Sequence, residues 1–158
     1  MQSLSVIKIE TLSLRTDAQV LRIVALRTDK EALDLCLSLE GQSHRHTDES
    51  TLMWWANQSG AWVDAVFSDY RVDIQAALVL LSDYVAGSTE VWFPAVDFDG
   101  ATLRHLYADF GMMLPVQYSQ FRDWRTVKSI FDLDVCSDRD TIAQCRYILG
   151  KVSEIWAV

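Results

Sequence analysis

Two of the histidines and two adjacent tryptophans in this sequence have side chains that can bind a metal ion or a nucleobase. His44 and His46 could ligate a metal, but residues 43–47 offer no Cys or acidic partner at zinc spacing, which favours solvated loop histidines. Trp54 and Trp55 could stack on the bases of a single strand, or they could pack in the core, which their context favours. Adjacent helical residues cannot face the same direction, so we expect at least one of them in the core.

The cysteines and the chain start indicate a reducing compartment. The three cysteines, Cys36, Cys136 and Cys145, are odd in number and form no CxxC motif. No basic segment followed by an apolar stretch opens the chain, and no apolar run approaches the roughly 18 residues of a membrane span. We therefore expect reduced thiols, a cytoplasmic protein and no membrane partner.

The charge balance argues against a protein that binds nucleic acid mainly through contacts with its phosphates. Fourteen Lys and Arg stand against 22 Asp and Glu, giving a net charge of −8. An acidic chain can still process nucleic acid if some of its carboxylates hold divalent metal ions.

With 158 residues, 50% of them hydrophobic, and only 6 Gly and 2 Pro, the sequence predicts one folded domain over residues 1–158.

The N-terminal half predicts a small antiparallel meander followed by helices. Apolar strands are expected over residues 4–9, 20–26 and 33–39, with short connections between them. Residues 42–49 are polar and predict a loop, after which Asp48 or Ser50 could cap a helix.

The C-terminal half alternates between helices and strands. Helices are predicted over residues 71–86, 98–110, 124–133 and 138–156, and strands over residues 90–96 and 116–121. Ile74, Leu78, Leu81 and Val85 form an apolar stripe on the first of these helices, and Gly87 suits the position just after its end. Together the elements predict an α/β fold, a mixed sheet covered by helices.

Five segments in this order resemble one family of nucleases. They are residues 7–12 (IKIETL), 50–55 (STLMWW), 97–99 (DFD), 121–126 (FRDWRT) and 140–147 (DTIAQCRY). The set resembles the small bacterial and phage 3′–5′ exonucleases of the DEDDh group, in particular their 3′–5′ exoribonuclease-like branch. The resemblance covers almost the whole chain and implies an RNase H-like α/β fold, with a mixed sheet and helices on both faces.

The resemblance also implies a site. In the family, carboxylates hold two Mg²⁺ or Mn²⁺ ions about 4 Å apart, and a His activates water. Glu10, Asp99 and Asp140 match three of these carboxylates and are the implied metal ligands. Lys8 replaces the first Asp, and Val135 stands where the His is expected.

Lys8 allows two interpretations. It lies on the same side of its strand as Glu10, so its ammonium could take the place of a metal among the carboxylates, whose pKa values would then lie below the ordinary range. Alternatively, it is an exposed lysine without a partner. Asp97 could serve as a replacement ligand only if the local geometry changed, and Pro94 replaces an Asn of the family.

Three functions remain open at this stage. The favoured one is a degenerate exonuclease with impaired catalysis that binds nucleic acid or a protein partner. Its cofactor would be Mg²⁺ or Mn²⁺, or none if Lys8 occupies the metal site. The second is an active metal-dependent 3′–5′ exonuclease on single-stranded DNA or RNA. The third is an acidic protein-interaction or inhibitor module. A homodimer is plausible from the resemblance and the aromatic content.

Overall fold

A five-stranded mixed sheet forms the centre of the computed structural model, which describes residues 2–156. The strands are β1 (Leu4–Thr11), β2 (Val20–Arg27), β3 (Lys30–Cys36), β4 (Glu90–Phe93) and β5 (Phe121–Asp123), in the spatial order β3-β2-β1-β4-β5. The first three pair antiparallel through short connections, whereas β4 and β5 run parallel to β1. The predicted meander and mixed sheet are confirmed.

Six α-helices accompany the sheet within residues 2–156. They are α1 (Glu49–Ala56), α2 (Ala61–Val66), α3 (Ile74–Val85), α4 (Ala101–Asp109), α5 (Trp124–Ile130) and α6 (Thr141–Trp156). A π-helical turn over Val96–Gly100 leads into α4, and 3₁₀ turns lie at Glu40–Gln42 and Tyr118–Gln120. Among the described helices, none has both the length and the apolar character needed to cross a bilayer.

Capping residues set the starts of α1 and α3, and a glycine follows the end of α3. Asp48, one of the two expected candidates, caps α1 by accepting a hydrogen bond from the Thr51 N–H at 3.2 Å. Asp73 caps α3 in the same way, and Gly87, with a φ of 81°, follows the end of that helix as expected.

Several predicted boundaries are wrong. The last helix begins at Thr141 rather than at residue 138, because the Asp140 carboxylate accepts the Ala143 N–H at 2.9 Å and so ends the preceding loop. Residues 98–100 belong to the π-helical turn, and residues 118–120 of the strand expected over residues 116–121 form a 3₁₀ turn before β5. Helix α2 was not expected, because six residues are too few to show a helical period.

The sheet carries helices on both faces, as predicted. On one face, Ile7, Ile9, Ile23 and Phe93 pack with the buried sides of α3 and α4. On the other face, Val6, Val24 and Trp92 pack with α5 and α6, where Cys145 is a buried free thiol. A smaller cluster of Leu12, Leu21, Trp55 and Val66 lies under α1 and α2.

The parallel strands β1 and β4 separate early. They pair only from Leu4 to Val6 and from Glu90 to Trp92, so the second half of β1 keeps β2 as its ladder partner. The π-helical turn after β4 crosses this gap and brings Asp99 to the free edge of β1. Ligand sites in open α/β sheets favour the carboxyl ends of diverging strands.

Packing of α3 provides a test of this fold. Leu78 is fully buried, so Leu78→Ala should lower the free energy of unfolding by roughly 2–5 kcal/mol in urea denaturation. Leu80→Ala makes the same change on the 46% exposed side of the helix and should alter stability by less than about 0.5 kcal/mol. Equal losses in the two variants would contradict the orientation of α3.

Candidate functional site

Lys8 and Glu10 form an ion pair at the end of β1. Alternate residues of a strand face the same side, and the Lys8 Nζ lies 2.7 Å from the Glu10 Oε1. The two side chains are only 18% and 14% exposed. The interpretation of Lys8 as an exposed lysine without a partner is therefore wrong.

Asp99 lies buried in the gap between β1 and β4. Only 3% of the residue is exposed. Its Oδ1 accepts the Ile9 N–H at 3.0 Å, and its Oδ2 accepts the Ala95 N–H at 3.1 Å. The carboxylate thus replaces the β4 backbone as the partner of β1, and each of its oxygens already receives one donor.

Burial and charge shift the pKa values of this cluster in a connected way. Burial raises the pKa of the Asp99 carboxyl to about 6, although the Lys8 charge and the Ile9 and Ala95 N–H groups oppose it. Burial would lower the pKa of Lys8, but the charge and hydrogen bond of Glu10, together with Asp99, outweigh it and raise that pKa. The expectation that all acids around Lys8 have lowered pKa values is therefore wrong for Asp99, because burial dominates there.

Asp140 lies at the N-terminus of α6. It precedes Thr141, which links this helix to the Lys8 and Glu10 pair. Its Oδ2 caps the helix through the Ala143 N–H, and its own N–H donates to Asp138. The buried Thr141 hydroxyl donates to the Glu10 Oε1 at 3.0 Å, so that oxygen serves both Thr141 and Lys8.

A buried arginine supports this arrangement from the neighbouring strand. Arg22 stands opposite Glu10 in the β1–β2 register and donates to the Thr141 hydroxyl at 3.3 Å. Asp34 on β3 holds the same guanidinium through two hydrogen bonds of 2.8 Å. Neither Arg22 nor Thr141 was predicted from the sequence as part of the site. The sequence feature that could have indicated Arg22 is that it is the single arginine in the otherwise apolar residues 20–26.

Two other residues considered at the sequence level form no hydrogen bond with the cluster and do not line its groove. Val135, at the position of the expected His, is 72% exposed in the segment between α5 and α6. Asp97 is also exposed, and its carboxylate pairs with Arg125, so it does not serve as a replacement for the missing acid.

The two loop histidines have protein partners. The exposed His44 Nε2 lies 2.7 Å from Asp109, and the His46 Nδ1 lies 2.7 Å from the Ser13 hydroxyl. Among the described residues, neither histidine belongs to a group of three or more potential metal ligands, which agrees with a structural role for both.

The residues present do not fit a two-metal centre. Within residues 2–156, no group of three or more His, Cys, Asp or Glu side chains is arranged to hold a metal ion. The Lys8 ammonium stands at hydrogen-bond distance from Glu10, where it supplies the positive charge that a bound cation would bring. Both oxygens of Asp99 accept backbone N–H groups, which competes further with coordination.

A groove of about 450 Å³ opens beside the ion cluster. Its polar lining includes Lys8, Glu10 and Asp99, and most of the rest is apolar, contributed by Leu14, Trp54, Trp55 and Phe98 among others. Trp55 is buried and donates through its indole N–H to the Thr11 carbonyl at 2.8 Å, whereas Trp54 is 50% exposed. The expectation that at least one of the two packs in the core is confirmed.

The sequence matches the family model of the Rv2179c-like 3′–5′ exoribonuclease domain over residues 5–150. This chain belongs to that family. No curated protein sequence matches it. Exonucleases of this kind generally use divalent metal ions, so the ammonium within the carboxylate cluster is the feature of this family member that needs a chemical explanation.

Solved structures of exonuclease I share the fold. The E. coli enzyme in complex with a dT13 oligonucleotide aligns with a TM-score of 0.71 at 9% identity, over 98% of this chain and 41% of that one. The ExoI/SSB-Ct complex aligns with a TM-score of 0.69 at 9% identity, over 98% and 41%. The chain thus spans about two fifths of the exonuclease I chains. The similarity confirms the predicted RNase H-like fold of DEDD exonucleases.

The raised pKa of Asp99 predicts a specific pH dependence of stability. The folded state binds a proton at Asp99 with a pKa of about 6, against about 3.9 in an unfolded chain. The resulting stabilisation is complete below the unfolded pKa and is lost as pH rises through the folded one. Between about pH 4 and pH 7, wild type should therefore lose roughly 3 kcal/mol of unfolding free energy relative to Asp99→Asn.

Chemical denaturation across this pH range measures the difference. Asp97→Asn is the matched control, since it removes a carboxylate two residues away that is exposed and outside the cluster. A wild type and an Asp99→Asn variant with parallel pH profiles would show that Asp99 is not buried as described.

Removal of the Lys8 ammonium from the ion pair should lower the stability of the fold. Lys8→Met leaves the Glu10 and Asp99 carboxylates without the ammonium, so it should cost roughly 3 kcal/mol in urea denaturation at pH 7. The double variant Lys8→Met/Glu10→Gln removes both charges of the pair and keeps a hydrogen-bonding group for Thr141. It should recover a substantial part of the loss. An unchanged stability of Lys8→Met would contradict the pairing.

Proposed function

We propose that this chain is a degenerate 3′–5′ exonuclease domain that binds single-stranded nucleic acid without cleaving it efficiently. The observation that carries the proposal is the 2.7 Å contact between the Lys8 ammonium and Glu10, at the position where the family has a metal-binding acid pair. The proposed site comprises Glu10, Asp99 and Asp140, with Lys8 and Val135 as the altered positions.

Two separate losses support impaired catalysis. A positive ammonium at Lys8 offers no ligand to a divalent ion and lowers the attraction of its neighbours for one. At the other altered position, the exposed Val135 has no group that can accept a proton from water. General-base assistance alone contributes about 10²–10⁴-fold to a rate.

The same residues support retained binding. Without metal ions, a cluster of carboxylates alone would repel a phosphate group, and the Lys8 charge offsets part of this repulsion. The groove beside it has room for a nucleoside and presents the half-exposed Trp54 for stacking. Because the family model is that of an exoribonuclease domain, RNA is the first ligand to test, with DNA beside it.

Turnover provides the test. Wild-type protein with millimolar Mn²⁺ should release nucleotides from single-stranded RNA or DNA no faster than it does with EDTA. The double change Lys8→Asp/Val135→His restores both chemical groups and should produce metal-dependent 3′–5′ trimming. Each single change should recover little, because the two groups act on the same water.

Two results would replace the proposal. Metal-dependent cleavage by wild type, abolished by Glu10→Ala or Asp140→Ala and accompanied by two well-ordered ions in Mn²⁺-soaked crystals, would establish an active exonuclease. Absence of any nucleic-acid binding, together with a specific protein partner, would establish an acidic interaction module instead.

A further inference from the structure

The π-helical turn between β4 and α4 borders two separate spaces. Its residues Phe98 and Asp99 line the groove beside the ion cluster, whereas Val96 and Asp97 line a depression between α4 and β5. This depression has a volume of about 380 Å³, which lies in the range of small-molecule sites. It shares no lining residue with the groove. The other side chains that the argument uses are those of Ala101, Arg104, Tyr118 and Phe121.

Arg104 brings an uncompensated positive charge to this depression. The residue is exposed, and within residues 2–156 its guanidinium has no ion pair or hydrogen bond. Its guanidinium carbon lies 5.8 Å from the centre of the Tyr118 ring, which attracts the cation and holds it beside an apolar surface. Asp97, the carboxylate on the rim, pairs with Arg125 instead. The positive charge of Arg104 is therefore available to an anion from outside.

Hydrogen bonds fix the walls of the depression. The Val96 N–H donates to the Asp123 carboxylate at 2.9 Å, which holds the π-helical turn against β5. Gln120 donates to the Ser88 carbonyl at 2.7 Å and so anchors the 3₁₀ turn that carries Tyr118. Because these walls are in place before a ligand arrives, binding orders little of the chain and loses little conformational entropy.

The charges of the lining limit the class of ligand. A single guanidinium compensates one negative charge, and a phosphate monoester with two charges would be repelled by a chain of net charge −8. Apart from Arg104, the polar side chains of the lining are the paired Asp97 and Tyr118, so the amide groups of a peptide end would find few partners. The lining suits one carboxylate attached to an apolar group.

We propose that this depression is a binding site for small aromatic monocarboxylates. The Arg104 guanidinium, whose planar fork matches a carboxylate, pairs with the acid, and the aromatic ring of the ligand packs against Ala101 and Phe121. The site is independent of the ion cluster and of the proposed function, since none of its residues lines the groove.

Titration of isotope-labelled protein with phenylpropanoate, followed by heteronuclear NMR, tests the proposal. We expect a dissociation constant on the order of 1 mM, typical of a ligand of this size. The largest shifts should fall on the backbone amides of Gly100, Ala101 and Tyr118. The neutral isostere phenylpropanamide should bind about tenfold more weakly, because it lacks the charge that pairs with Arg104.

Two variants separate the charge from the shape of the site. Arg104→Gln should weaken phenylpropanoate binding by about tenfold and leave phenylpropanamide binding unchanged. Ala101→Leu places a larger side chain in the depression and should abolish measurable binding of both compounds. Arg146→Gln is the matched control, since it removes the same charge from an exposed residue of α6 outside the depression, and it should bind both compounds as wild type does. If Ala101→Leu fails to fold, the exposed Arg104 still allows the test.

Several results would overturn the inference. Absence of any shift in wild type, or equal affinity of wild type and Arg104→Gln for phenylpropanoate, would remove the site. Shifts confined to Lys8, Glu10 and Trp54 would place the acid in the groove instead. Tighter binding of phenyl phosphate or uridine monophosphate at the depression would assign it to phosphates. Tighter binding of a peptide with a C-terminal phenylalanine would assign it to a protein partner.

Discussion

The ammonium of Lys8 among carboxylates is the interaction on which the site depends. It supplies one positive charge beside Glu10 and the buried Asp99, and so permits acids to stay together in a partly dry environment. The same Glu10 oxygen accepts the Thr141 hydroxyl, which receives a hydrogen bond from Arg22. The charge cluster therefore also ties α6 to the sheet.

The early separation of β1 and β4 creates the space that this cluster needs. Because the two strands pair over three residues only, the Ile9 N–H has no strand partner on that side, and the Asp99 carboxylate takes its place. The π-helical turn that delivers Asp99 also brings Phe98 to the groove. One local departure from regular pairing thus produces both the buried acid and an apolar part of the groove lining.

Much of this architecture was predictable from local patterns. The strands β1 and β2 are apolar, short connections join β1, β2 and β3, the stripe on α3 repeats at helical spacing, and Asp48 and Gly87 suit the ends of their helices. The predictions failed where a boundary depends on a contact from elsewhere. Helix α2 shows no period, and the start of α6 depends on the capping by Asp140.

By itself, the sequence determined the α/β class, most of the order of the elements and the position of Lys8 and Glu10 on one side of β1, because alternate residues of a strand share a side. Only the tertiary structure decided which distant groups meet this pair. The burial that raises the pKa of Asp99, the bridge from Arg22 through Thr141, and the ion pair of Asp97 with Arg125 join segments far apart in the chain. The burial of a side chain and its distance from a residue far along the chain both depend on how the elements pack. No local pattern of residues encodes either of them.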